Sequence, residues 1–256
     1  MSNDKIKSDL IEYSLRIGDT SLIHGHRLGE WCGHAPILEE DIAITNMALD
    51  YIGQTKIILN YAGELEGKGR DCDDLAYRRD AREFRNLLIA ECPNGDFAMT
   101  IIKQFLISAY NFSLYSNLTK SKDETLAAFA EKSVKEIAYH LRHSGDWVVR
   151  LGDGTDESHR RIQNAVNEIW LFVDDLFDVD EVDRNIAEQK MGPDPEVVKK
   201  EWNEIVTSRF KDAHLEIPTV NNFLRVGSRQ GNHTEHLGYI LAEMQFLPRA
   251  YPDATW

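Results

Sequence analysis

Cysteine is scarce in this chain and nowhere paired. Cys32, Cys72 and Cys92 are its three cysteines. No two stand in a CxxC spacing, which argues against a zinc knuckle or a redox dithiol. Scattered thiols suit a reducing compartment, so the chain is read as cytoplasmic. The opening stretch MSNDKIKSDL lacks the apolar core of a secretion signal. No apolar run reaches the ~18 residues that cross a bilayer, so no membrane span is expected. Basic charge is also short. Lys and Arg number 29 against 43 Asp and Glu, a net charge of −14. Nucleic acid and anionic membranes both select basic surfaces, so neither is the expected partner. A nucleophile elbow, a P-loop and a dinucleotide-binding glycine pattern are all missing. The stretch LGDGT at 151–155 is a turn, not a phosphate cradle.

What remains is helix. Strand-type alternation of useful length is absent, and apolar residues recur with a helical period. The periodicity predicts helices over about 5–30, 39–65, 97–119, 123–151 and 156–178. Glu39, Glu40 and Asp41 suit the positive end of the second helix. Ser121 with Glu124 reads as a capping box for the fourth, and Thr155 as the cap of the fifth. One or two short helices are expected in the looser stretch 66–96. MGPDPE at 191–196 is a linker before a further helix start. Pro218, Gly227 and Gly231 bracket an irregular stretch, and a last helix is expected over about 234–248. Four long helices with a connection of roughly thirty residues in the middle suggest a ferritin-like arrangement. The expected architecture is all-α: a ferritin-like bundle over 1–190, with a helical extension over 191–256 packed on the same domain.

A ferritin-like bundle raises the question of a di-iron site. Such sites take a Glu from two helices and a Glu-x-x-His pair from the other two. Carboxylates supply hard anionic oxygens and the imidazoles complete each iron. From Phe97 to Lys122 there is no Asp or Glu, so the third helix cannot supply a carboxylate. The second helix has a single acid between Ile42 and Gly63, Asp50, and no His. Asp50 and Gln54 lie four apart and share a helix face. In the fourth helix Glu136 and His140 are four apart, with Ile137 three before His140. Glu-x-x-His occurs nowhere. His233 and His236, one turn apart, read as capping or packing residues ahead of a two-His metal site. Asp156 and His159 read as an exposed first turn. His24, His26 and His34 gather in sequence near Glu30 and Trp31, which reads as an interface or loop anchor ahead of a catalytic role. Arg142, Lys199 and Lys200 read as a solvated face.

Five stretches then carry a resemblance: RLGEWCGHAP (27–36), DYIGQ (50–54), KEIAYHLRHSGDW (135–147), LGDGTDES (151–158) and HTEHLGYILAEMQ (233–245). In order and spacing along nearly the whole chain, they resemble the C subunits of bacterial phenylacetyl-CoA epoxidases. The resemblance implies membership of a multicomponent di-iron monooxygenase of aerobic phenylacetate breakdown. That complex uses dioxygen, and electrons from a separate reductase, to epoxidise the ring of phenylacetyl-CoA. Its catalytic A subunit holds the di-iron centre in a ferritin-like bundle. The C subunit resembles a sister bundle that pairs with it, has lost the metal and performs no chemistry.

The resemblance also implies where the lost ligands stood. The sister's second-helix Glu and His fall on Tyr51 and Gln54. Its fourth-helix Glu-x-x-His falls on Ile137 and His140. A gap-free count places the first-helix Glu near Ser21 and the third-helix acid near Ser108. No catalytic residue, metal ligand or cofactor is therefore expected in this chain. The iron is expected in the partner. Buried acids without a metal repel one another, and Ser, Tyr, Gln and Ile remove that cost. His140, Tyr51 and Gln54 are expected to form a small hydrogen-bonded network. The expected partners are the catalytic A subunit and the other epoxidase subunits, or a second copy of the chain when isolated. The competing readings are a metal-dependent oxygenase with unusual ligands, drawing on His140 and the His233–His236 pair, and a homodimeric helical scaffold.

Overall fold

The computed structural model describes residues 2–219 and 225–254. Parts of the 191–256 extension, at 220–224 and 255–256, lie outside the described residues. Four long helices form the bundle: α1 (Asn3–Gly29), α2 (Leu38–Glu66), α5 (Phe97–Leu118) and α6 (Glu124–Gly152). No strand occurs among the described residues, and the fold is the all-α, ferritin-like arrangement that the sequence suggests. Side chains cap the starts of α1, α5 and α6 and satisfy unpaired N–H groups there, whereas α2 starts without a side-chain cap. Asp96 caps α5 through Met99 N, and Asp123 caps α6 through Leu126 N. The expected Ser121–Glu124 box does not form. Ser121 Oγ instead donates to Met191 O and accepts from Asp123 N, so the cap falls two residues later.

Cross-contacts fix the directions. Gly18 meets Ile58 and Leu59, and Gly25 meets Ala48 and Tyr51, so α1 and α2 run antiparallel. A Cβ on Gly25 would lie 3.2 Å from Tyr51 Cβ, and the missing side chain lets α2 settle close. Tyr115 packs on Phe129, and Phe97 on Trp147, which makes α5 and α6 antiparallel. Trp31, just past α1, packs on Phe97 at the start of α5 with ring centroids 6.0 Å apart. The connection 67–96 therefore returns along the bundle, as the long crossover of a ferritin-like fold must.

That crossover is pinned to α1. It contains α3 (Cys72–Tyr77), a 3-10 turn at Ala81–Glu83 and α4 (Leu88–Glu91). Asp19, fully buried in α1, holds the Arg79 guanidinium and accepts from Arg85 N at 2.8 Å. Further along, Arg27 donates to Glu91 O at 2.9 and 3.2 Å.

α5 carries no acid and is buried on nearly every side. α7 (Asp156–Ile169) and α9 (Pro195–Asp212) complete its cover. Trp202 of α9 donates to Leu106 O at 3.0 Å and packs on Phe177. The expected helix over 156–178 stays α-helical only to Ile169 and tightens to 3-10 over Trp170–Phe177. This winding places Asp175 inside, where its carboxylate accepts from Leu88, Gly227 and Ser228 N–H at 2.9–3.1 Å. α8 (Glu181–Glu188) lies on α1, where Asp180 and Asp183 hold buried Arg16. The expected last helix is two, α10 (Glu235–Met244) and α11 (Phe246–Ala250). The break falls at Gln245, whose buried amide donates to Ala76 O and Arg79 O, both at 3.0 Å. Leu237, Ile240 and Leu241 of α10, with Trp202, Val206 and Phe210 of α9, join the same apolar cluster as Phe105 and Ile107 of α5.

Candidate functional site: the polar centre of the bundle

The middle of the bundle is polar. Ser21 and His24 of α1, Tyr51 and Gln54 of α2, Gln104 and Ser108 of α5, and Ser133 and His140 of α6 are all buried. Tyr51 sits at the middle. Its ring stands edge-on to His24 and tilted to His140, each with centroids 5.0 Å away. Its hydroxyl faces Ser108, Gln104 and Asn111, and burial pushes the phenol up to about 12. Ser21 faces the Tyr115 hydroxyl. Ile137 is fully buried in the neighbouring apolar cluster.

The expected network of His140, Tyr51 and Gln54 does not form. His140 Nε2 donates to Asp50 Oδ2 at 3.0 Å. Gln54 Nε2 donates to Glu136 Oε2 at 2.9 Å. Tyr51 contributes a ring between two imidazoles rather than a hydrogen bond to either. The reason is helical phase. Asp50 and Gln54 stand on the side of α2 that meets α6, while Tyr51 points between α1 and α5. The α2–α6 seam is cross-linked along its length. His143 Nε2 approaches Glu40 Oε2 to 2.9 Å, and Tyr61 donates to Asp123 Oδ2 at 2.5 Å.

Sequence reasoning missed the central pairing of His24 with Gln104. His24 Nε2 donates to Gln104 Oε1 in the centre of the bundle. Burial, reinforced by the Lys103 cation, lowers the imidazole to about 3, which keeps the ring neutral. His24 therefore leaves the expected cluster with His26 and His34: His34 is exposed, and Glu30 holds Arg27. A signal for the pairing exists in the sequence. His24 follows Ser21 by three residues, and Gln104 precedes Ser108 by four, so each shares the face of an expected central position.

Two further histidines, His233 and His159, are held by hydrogen bonds away from the centre. His233 faces Glu91 Oε1 at 3.1 Å and Phe84 O at 3.0 Å, and Thr234 donates to Glu91 Oε2. It shares no contact residue with His140, and its hydrogen bonds bypass His236. His159 is half-buried, with Nδ1 donating to Gly152 O at 2.7 Å, so it finishes α6 rather than sitting exposed.

The centre thus offers imidazoles, amides, hydroxyls and one phenol. Glu136 and Asp50 stand at its edge, each already engaged. Among the described residues, no three His, Cys, Asp or Glu side chains converge as a metal shell would.

A model of the family described as "Phenylacetic acid catabolic protein" matches residues 1–256. The chain belongs to that family. The C subunit of the 1,2-phenylacetyl-CoA epoxidase of Escherichia coli (strain K12) is 46% identical to this chain over 249 residues. The match covers 97% of this chain and 100% of that relative. The family places the chain in phenylacetate catabolism. No helix among the described residues is long and apolar enough to cross a membrane.

Proposed function

We propose that the chain is a non-catalytic structural subunit of a phenylacetyl-CoA ring-epoxidising di-iron monooxygenase, pairing with the catalytic A subunit. The observation that carries this reading is the donor set at the bundle centre. A di-iron centre needs carboxylates from all four helices. α5 has none, and Ile137 puts a hydrocarbon where α6 would present one. Tyr51 fills the middle with its ring. These residues do not fit a dinuclear iron site. Buried serines, an amide and a ring replace carboxylates that would otherwise repel one another without a metal.

Pairing with a partner is supported by the outer face of α2. Leu38, Ile42, Leu49 and Ile52 recur at helical spacing on that face and are exposed. A contiguous exposed apolar stripe marks an interaction site. The full-length similarity to the C subunit of an epoxidase supports the identity of the complex.

Co-expression with the neighbouring oxygenase subunits tests the reading. A complex that contains this chain and consumes phenylacetyl-CoA is expected, with activity lost when the chain is withheld. Full activity without it overturns the proposal. So does stoichiometric iron in the isolated chain after expression with iron supplied.

A further inference from the structure

A second surface, remote in sequence from α2, lies where the C-terminal helices cross the α3 turn. A groove of about 600 Å³ opens there, within the size range of binding sites for long side chains and small ligands. Its apolar lining comes from Tyr77, Met244, Leu247 and Tyr251. Leu247 and Tyr251 are exposed. The groove is also acidic. Asp71, Asp73, Asp74 and Glu243 line it against a single cation, Arg78.

Local structure uses only part of this charge. Asp71 caps α3 through the N–H groups of Asp73 and Asp74, and Asp74 pairs with Arg78 at 3.2 Å. Asp73 and Glu243 have no cationic partner among the described residues. Both are exposed and neither caps a helix.

The walls are braced. Arg249 donates to Arg78 O at 3.1 Å and Arg79 O at 2.8 Å, Arg78 donates to Pro252 O at 3.1 Å, and Gln245 donates to two carbonyls of the same turn. A groove held by buried and bridging hydrogen bonds keeps its shape before anything binds, which lowers the ordering cost of association.

We infer that this groove docks a basic segment of a partner protein: a Lys or Arg side chain against Asp73 and Glu243, with its stem and a neighbouring apolar residue on Leu247, Tyr251 and Tyr77. Aromatic walls with an acidic rim favour an extended cation, because the methylene stem covers rings while the head meets carboxylates. An anionic ligand meets repulsion here. The inference rests on the proposed membership of a multisubunit complex and assigns this face to a subunit other than the one covering α2.

The test is co-expression of the chain with the remaining epoxidase subunits, sizing of the complex, and titration of each purified subunit. The variants are Glu243→Lys and the double charge reversal Asp73→Lys/Glu243→Lys. Both sites are exposed, and unchanged melting of each variant checks that the chain is folded. The expected result is a loss of affinity of at least about tenfold for one subunit in the double variant, less in the single. Retention of the catalytic subunit and weakening of the wild-type contact by salt are expected with it. A double variant that holds every subunit as tightly as wild type overturns the inference and leaves the proposed role in the complex standing. A wild-type chain that captures no subunit overturns both.

Discussion

His140 Nε2 lies 3.0 Å from Asp50 Oδ2 and ties a fully buried ring on α6 to a half-exposed acid on α2. The acid is at the surface end and the ring at the core end, so the bond reaches across the wall of the bundle. Asp50→Ala leaves a buried N–H without its acceptor. The expected loss of stability is about 1–2 kcal/mol, at the lower end of the range because Asp50 is open to water. Asp50→Asn retains an acceptor and costs less. Denaturant unfolding of the two variants checks the order; equal stabilities would show that the bond contributes nothing.

Ile137, which the proposed function sets at a lost carboxylate position, is sealed among apolar side chains. Ile137→Glu places an acid there with no metal and no cation to pair with. The expected cost is about 3–5 kcal/mol, against about 1 kcal/mol for Ile137→Val. The variant is expected to gain no iron, because the rest of the donor set is still lacking. Iron retention by Ile137→Glu at normal stability would contradict both statements.

The four long helices were legible to within two residues at each end, because each carries a sustained apolar period bounded by turn or capping residues. The ferritin-like crossover was legible from the length of 67–96 alone. Packing was not. Which side of α2 meets α6 depends on a rotation that DYIGQ alone does not reveal, so the pairing of Asp50 with His140 leaves no mark in the sequence. The 3-10 winding at Trp170–Phe177 answers to Asp175, whose partners at Leu88, Gly227 and Ser228 lie more than fifty residues away. Contacts at such separations leave no local signature.

Asp19 and Arg79 form a buried ion pair that holds the crossover against α1. Asp19 also accepts from Arg85 N, and Arg79 donates to Leu75 O and Glu83 O. Removing one partner leaves the other charge buried, so Asp19→Ala and Arg79→Ala are each expected to cost about 3–5 kcal/mol. The double variant loses both charges together and should be destabilised by clearly less than the sum. Additive losses in a double-mutant cycle would mean that the two residues act separately.

Lys103 is fully buried in α5, where its ammonium donates to Cys92 O at 2.7 Å and Asn94 Oδ1 at 3.0 Å. Burial, with the Arg27 cation adding to it, lowers its pKa to about 7 from 10.5. Between these two values the unfolded chain holds a proton that the folded chain has released, so this group makes folding more favourable as pH rises. Lys103→Met removes the proton exchange and keeps the stem. From pH 7 to pH 9 the wild type is expected to gain about 2 kcal/mol relative to the variant. Denaturant unfolding of both chains at several pH values measures the difference directly. Parallel stability curves would show that Lys103 keeps its charge in the folded chain throughout the window.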